Sequence, residues 1–229
     1  IKLYTGTGNP ELARKVADIL HLELQGLLLE KFANGEIYAR FDESVRGDEV
    51  FFIQSLAGVN VNDLVMETLI VADAAKRASA NSFTVVIPHY AYARQDRKAA
   101  AREPITARLM ANLLENAGVD RVITLDLHQG QIQGFFDIPV SHLTALYLLG
   151  SPDMGRAKAA KKLSDYLDCG LAIAHKSRPR HNESAVMGII GDIKGKTCIV
   201  NDDMIDTAGT LCASVVKLKE MGAGDIYVC

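Results

Sequence analysis

The sequence predicts an α/β fold with a mostly parallel sheet flanked by helices. Three observations carry that expectation. Strand-like and helix-like patterns alternate along nearly the whole chain. The strand-like runs are short, apolar and rich in β-branched residues. The helical runs carry recognisable start and stop signals. With 229 residues and 48% hydrophobic content, the chain has material for one large or two modest cores.

Residues 1–4 read as the first strand. Asn9-Pro10-Glu11 opens a helix, with an N-cap and a proline at the first helical position, that turns Leu12, Val16 and Ile19 inward. Between them, Gly6-Thr7-Gly8 reads as a tight turn. It lacks the third glycine of a dinucleotide fingerprint, because Glu11 stands in that place. Residues 37–41 alternate as a strand, and Asn34-Gly35 just before them is a hairpin-turn dipeptide. Residues 50–54 form a strand, 62–79 a helix, 84–88 a strand, 105–117 a helix closed by Gly118, and 121–127 a strand. Strands at 171–174, 189–191 and 197–200, a helix at 211–221 stopped by Gly222, and the strand-like Asp225-Ile226-Tyr227-Val228 continue the alternation. Ligands of such folds bind beyond the carboxyl ends of the strands, so the segments that follow each strand are the places to search.

Composition excludes several classes. A net charge of −3 argues against general nucleic-acid binding. No apolar stretch has the length of a membrane span and no signal-peptide pattern opens the sequence, so a cytoplasmic protein with no membrane partner is expected. Cys169, Cys198, Cys212 and Cys229 have no metal-like spacing. Cys198 and Cys212 sit in apolar patterns and are expected to be reduced core residues.

The segment Asp202-Asp203-Met204-Ile205-Asp206-Thr207-Ala208-Gly209-Thr210 joins a buried strand to a helix carrying Leu211, Val215 and Leu218. Such a turn aims backbone N–H groups and Thr hydroxyls at one spot beside a helix N-terminus, which suits a phosphate. Asp and Thr at a helix start are also ordinary caps. The adjacent Asp202 and Asp203 tip the balance, because like charges at a strand mouth need compensation; they suit sugar hydroxyls or a metal. A sugar phosphate satisfies both halves.

Other segments recur at strand ends. Tyr92-Ala93-Arg94-Gln95-Asp96-Arg97-Lys98 concentrates cations after the 84–88 strand, either as a solvated loop or as a nucleotide site built on Arg forks. His128 follows the 121–127 strand and is a candidate for a metal or a phosphate, or a structural histidine. Phe32-Ala33-Asn34-Gly35-Glu36 is first a turn, though an exposed Phe beside Asn and Glu also suits a base. Lys176-Ser177-Arg178-Pro179-Arg180-His181-Asn182 reads as a mobile basic loop, either solvated or able to close over a polyphosphate. No hydrolase elbow, HExxH or Walker A motif is present.

These segments, with Glu43-Ser44-Val45-Arg46-Gly47, Arg102-Glu103-Pro104-Ile105-Thr106-Ala107, the run from Gln131 to Pro139, and Ser151-Pro152-Asp153, resemble ribose-phosphate diphosphokinase, the phosphoribosyl pyrophosphate (PRPP) synthetase family, over nearly the whole chain. The resemblance implies two similar phosphoribosyltransferase-like α/β domains, at 1–143 on the ATP side and 144–229 on the ribose 5-phosphate side, the second incomplete at its end. It implies Mg²⁺-dependent transfer of the β,γ-diphosphoryl group of ATP to O1 of ribose 5-phosphate, for nucleotide biosynthesis. By motif, Phe32, Asn34, Glu36, Arg94 and Gln95 would bind ATP, the first three from a neighbouring subunit. Asp202, Asp203, Asp206, Thr207, Ala208, Gly209 and Thr210 would bind ribose 5-phosphate. His128 and Asp153 would serve the Mg²⁺ site, Lys176 and Arg178 would be catalytic, and Ser44 and Arg46 match part of an allosteric site. A dimer-based assembly, hexameric by resemblance, is implied.

Three departures stand out. Ser177 replaces the middle Arg of the family's Lys-Arg-Arg-Pro. The joins at Gly150-Ser151 and Gly155-Arg156 are short, and the last strand has no sequel, so residues are expected to be missing there. Two other functions compete. A non-catalytic synthetase-associated regulatory subunit is disfavoured by the intact Lys176 and Arg178. A phosphoribosyltransferase-type protein shares the acidic-pair loop but needs no ATP site.

Overall fold

A computed structural model describes residues 1–144, 164, 169–180, 183–200 and 208–228. The chain divides into two compact units, Ile1–Leu143 and Thr144–Cys229.

The first unit is built on five parallel strands, β1 (Lys2–Thr5), β4 (Glu49–Ile53), β5 (Ser82–Ile87), β6 (Arg121–Leu125) and β7 (Val140–Leu143), in the order β1-β4-β5-β6-β7. Two further strands, β2 (Leu27–Lys31) and β3 (Ile37–Phe41), form a separate antiparallel hairpin. Helix α1 (Pro10–Leu20) follows β1, α2 (Val61–Arg77) follows β4, and α3 (Thr106–Ala117) follows β5. A 3-10 helix, Gly130–Phe135, lies between β6 and β7.

Alternation along the strands sends side chains to two cores. Tyr4, Phe52, Val85 and Val122 point to one face, where Leu64, Val71, Ala75, Met110 and Leu114 of α2 and α3 cover them. Leu3, Phe51, Ile53 and Val86 point to the other, against Ala13, Val16 and Ala17 of α1. Asn9 caps α1 as expected, its side chain accepting from the Leu12 N–H at 3.1 Å. The inward face of α1 differs from the expectation: Ile19 is 76% exposed. Two alanines set the contact stripe, and it is too narrow to carry Ile19 under the sheet. Gly118 ends α3 with φ +108, the left-handed turn that glycine tolerates.

Strand β2 was not legible. Leu27-Leu28-Leu29 is a continuous apolar run without alternation, and only its partner β3 has the period of a strand. The hairpin turn is as expected. Gly35 takes φ +90, Phe32 N–H donates to the Glu36 carbonyl and Gly35 N–H to the Phe32 carbonyl, both at 2.8 Å.

In the second unit, β8 (Ile173–Arg180) and β9 (Glu183–Ile190) pair antiparallel, β10 (Cys198–Val200) and β11 (Ile226–Val228) pair parallel, and helix α4 spans Gly209–Glu220. Ile193, Val200, Leu218 and Ala223 form its buried cluster, with Leu211 and Ile226 packed on it. The basic segment expected as a loop from Lys176 is instead strand as far as Arg180. Strand pairing with β9 overrides the loop-forming composition. Pro179 is accommodated because the register shifts between Ser177 and Arg180, where a ladder donor is not needed. The cysteines also differ from the expectation: Cys212 is exposed on α4 and Cys198 half-buried, both as free thiols. Ser214 and Leu218 take the buried positions of that helix.

Candidate active site

The carboxyl edge of the five-stranded sheet collects four loops. Gly6-Thr7-Gly8 follows β1, Gln54-Ser55 follows β4, the segment from Pro88 through Lys98 follows β5, and Asp126-Leu127-His128 follows β6.

The first two loops are tied by a buried polar network absent from the sequence reading. Glu67, on the inner face of α2, is 5% exposed, and Gln54 is fully buried. Thr7 donates to Glu67 from its N–H and its hydroxyl, each at 2.8 Å. Gln54 Nε2 donates to Glu67 at 2.7 Å, and its Oε1 accepts from the Gly8 N–H at 2.8 Å. The glycines are required by this closeness: a Cβ on Gly8 would stand 2.2 Å from the Ser55 carbonyl oxygen. Glu67 shares the inner helix face with Leu64, Thr68 and Val71. A carboxyl at an apolar-face position was the signal available in the sequence.

The loop carrying Arg94 and Gln95 is held by its neighbours on both sides. Tyr90 lies under it, its hydroxyl donating to the Ala107 carbonyl at 3.2 Å and its ring edge-on to Phe136. Burial, and then the nearby Glu115, push the Tyr90 phenol above its ordinary range. Tyr92 takes φ +60 and donates its hydroxyl to Asn62 Oδ1. Gln95 is tied to the start of α3: its carbonyl accepts from the Ala107 N–H at 3.1 Å and its side chain from the Thr106 hydroxyl. Glu103 gathers the Ala99 and Ala100 N–H groups at 2.7 and 2.8 Å. Arg94, Arg97 and Lys98 remain exposed. The loop thus presents cations on a fixed backbone, as a polyanion site needs.

His128 is half-buried, one residue beyond the buried Leu127. Gln131 Nε2 donates to Asp96 Oδ2 at 3.4 Å, so the structure brings the His128 segment and the Arg94 loop together. Among the described residues, no three His, Cys, Asp or Glu side chains converge as a metal cage. A hard cation prefers oxygen donors and keeps several waters, so His128 alone is not a complete site for one, and carboxylate or phosphate oxygens would have to supply the rest.

Phe32 stands 56% exposed at the hairpin turn, its ring 6.0 Å from that of Tyr38. Asn34 Oδ1 accepts from the Glu36 N–H at 3.2 Å, which spends part of Asn34 on the turn itself. Lys31 pairs with Asp63 at 2.7 Å. The hairpin and the Arg94 loop therefore anchor on adjacent residues, Asp63 and Asn62, at the start of α2.

Ser44 and Arg46 lie elsewhere. Their segment leads into β4 and is bound at the amino end of β1, where Lys2 Nζ donates to the Ser44 carbonyl at 2.8 Å. The whole length of the strands separates them from the loops at the carboxyl edge. A cavity of about 340 Å³ lined by Lys76, Asn81, Glu115 and Asp120 also lies at that amino edge, away from the candidate site.

In the second unit, Lys176 and Arg178 belong to β8, and the β8–β9 register shifts on both sides of Lys176 and Ser177. Ala208, with φ +57, precedes Gly209 and Thr210 at the start of α4. Asp153, Asp202, Asp203, Asp206 and Thr207 lie outside the described residues.

The comparisons agree along the chain. A family model described as the N-terminal domain of ribose phosphate pyrophosphokinase matches residues 1–118, and one described as the phosphoribosyl transferase domain matches residues 150–229. The ribose-phosphate pyrophosphokinase of Bacillus subtilis (strain 168) is 49% identical, covering 100% of this chain and 76% of its own length. That of Fusobacterium nucleatum is 47% identical, with 100% and 77% covered. Among solved structures, the phosphoribosylpyrophosphate synthetase from Mycobacterium smegmatis matches with a TM-score of 0.90 and 46% identity, over 99% of this chain and 79% of that one. The two alignments with curated relatives span 243 and 245 positions against 229 residues, so they contain positions at which this chain has no residue.

Proposed function

From the premise that this chain belongs to the ribose-phosphate pyrophosphokinase family, we propose that it transfers the β,γ-diphosphoryl group of ATP to O1 of ribose 5-phosphate, releasing AMP and PRPP. The observation that carries this reading is identity of 47–49% over the full chain to relatives of that name. The O1 hydroxyl oxygen forms a bond to the β-phosphorus and gives up its proton to water, and the bond from that phosphorus to the oxygen shared with the α-phosphate breaks, that oxygen leaving with AMP. Such a displacement needs in-line placement and charge neutralisation more than a strong base.

In this reading the first unit is the ATP side. Arg94 and Gln95 hold the nucleotide from the loop after β5, and Phe32, Asn34 and Glu36 receive the adenine of a neighbouring subunit's ATP. His128 and Asp153 hold Mg²⁺, which supplies neutralisation of the polyphosphate charge. The second unit, from 144 to 229, is the ribose 5-phosphate side, with Asp202 and Asp203 on the ribose hydroxyls and Asp206, Thr207, Ala208, Gly209 and Thr210 around the 5-phosphate. Lys176 and Arg178 neutralise charge that grows on the departing AMP. The location is the cytoplasm and the working form a homo-oligomer; none of the helices among the described residues is long and apolar enough to cross a membrane.

The direct test is incubation of the protein with ATP, ribose 5-phosphate and Mg²⁺, followed by chromatography. AMP and PRPP should appear in equal amounts, and ADP should not. Absence of AMP overturns the proposal. In the same assay Phe32→Ala should raise KM for ATP roughly tenfold, the loss of about 1–2 kcal/mol of ring stacking, with KM for ribose 5-phosphate unchanged. An unaltered KM for ATP removes Phe32 from the site.

A further inference from the structure

The turn that carries His128 is held by the strand beside it in an unusual way. Asp126 takes φ +42, a left-handed conformation that costs a non-glycine residue on the order of 1 kcal/mol and persists only where its surroundings over-determine it. Two bonds from β7 supply that constraint. Asp126 N–H donates to the Leu143 carbonyl at 3.0 Å. Leu127 N–H donates to Nε2 of His142, also at 3.0 Å. The acceptor for Leu127 is thus a side-chain nitrogen of β7, not a ladder carbonyl. Leu127 itself is buried in the main core, so the backbone between Asp126 and His128 is fixed from both sides.

A backbone amide only donates, which settles the state of the ring. With Nε2 accepting from the Leu127 N–H, the proton of the neutral imidazole sits on Nδ1; Gln133 Nε2, 3.3 Å from Nδ1, is itself a donor, so that approach is not a hydrogen bond in this tautomer. Gln133 Nε2 donates to the Gly130 carbonyl at 2.8 Å, so the residue beside the ring is anchored in the 3-10 helix that follows His128.

We propose that His142, as the Nδ1–H tautomer, is a positioning residue for the ATP polyphosphate site: its Nε2 lone pair takes the Leu127 amide and so sets the turn that presents His128. This rests on the reading of His128 as a Mg²⁺·ATP contact, and goes beyond it by naming what orients that contact. Groups that orient a metal-binding side chain typically cost 10–100-fold in affinity when removed.

Two measurements on the full chain test it. In protein labelled with ¹⁵N at histidine, imidazole shifts should show His142 protonated at Nδ1 and bare at Nε2 near neutral pH; an Nε2–H tautomer overturns the proposal. Calorimetric titration with Mg²⁺·ATP should then separate two substitutions. His142→Phe has no acceptor and should weaken Mg²⁺·ATP binding about tenfold while ribose 5-phosphate binding stays unchanged. His142→Gln places an amide oxygen near the Nε2 position and should restore most of the affinity. Equal losses in both variants, equal losses for both ligands, or no loss in the Phe variant overturn the proposal. His128→Ala distinguishes the levels. If it leaves Mg²⁺·ATP binding intact, the underlying site reading fails. If it weakens binding and His142→Phe does not, only the positioning role fails. Should His142→Phe not fold, the tautomer decides.

Discussion

Lys176→Ala lowers turnover by on the order of a hundredfold or more, the usual cost of removing one preorganised donor from a site of charge development, and leaves the KM for ribose 5-phosphate nearly unchanged. The reason is where the charge goes. In the proposed site, sugar and nucleotide would bind with their phosphates already neutralised by their own loops. A cation aimed at the oxygen that departs with AMP gains most of its interaction in the transition state, so its loss appears in kcat rather than in ground-state binding. Arg178→Lys tests the same idea from the other side: a point charge does not replace a planar fork. The backbone is consistent with a specialised segment, since the β8–β9 ladder shifts register on both sides of Lys176 and Ser177, and such irregularities recur where strands serve sites. Steady-state kinetics decide the matter. A fall in kcat below threefold removes Lys176 from the chemistry, and an equal rise in KM for ribose 5-phosphate makes it a binding residue instead.

Glu67→Ala destabilises the protein by about 1–3 kcal/mol, the cost of leaving one buried partner, Gln54 Nε2, without a hydrogen bond, while water can replace the carboxylate at the exposed Thr7. Three donors lose their acceptor at once: the Thr7 N–H, the Thr7 hydroxyl and Gln54 Nε2. Gln54 is fully buried and holds the Gly8 N–H, so the loss is felt at the Gly6-Thr7-Gly8 turn as well. Glu67→Gln keeps one acceptor oxygen and the shape, and should cost less. Urea unfolding followed by circular dichroism measures both. The midpoint should fall with the slope unchanged, the sign of a stability loss without a change in the unfolded state. A midpoint that does not move in the Ala variant means that the network contributes nothing net.

Those two results would come from regions of opposite legibility. Lys176 stood out as part of a basic segment, yet its setting was misread as a loop, because composition around Pro179 outweighed the pairing that β9 provides. Helices α2 and α3 and strands β4, β5 and β6 were readable because period and end signals agree in them. The Gly118 cap of α3 and the Asn9 cap of α1 are both in place. The Glu67 network was not readable, since it joins Thr7, Gln54 and Glu67 across two crossovers, and local pattern carries no information about which loops meet. The same holds for Gln131 and Asp96, and for His142 and Leu127. Residues at the ends of strands could be nominated from sequence. Their mutual support could be seen only after the sheet order was known.

That order has a temporal side. Strands β4, β5, β6 and β7 lie beside one another in the sequence in which they are synthesised, and each can dock on its predecessor as it is made. The strand that leads the described sequence cannot. β1 bridges on one side to the segment after α1, where the Gln25 N–H donates to the Leu3 carbonyl at 2.8 Å, but its ladder partner in the sheet is β4, Lys2 against Val50, and the β2–β3 hairpin must be passed before that partner exists. Parallel pairing at long separation incurs its loop entropy before any contact forms. The edge of β1 that faces β4 therefore waits for its partner, and the Gly6-Thr7-Gly8 turn acquires Gln54 and Glu67 only when β4 and α2 arrive. During synthesis, a strand made well before β4 is thus secured on one side early and on the other only once β4 is in place.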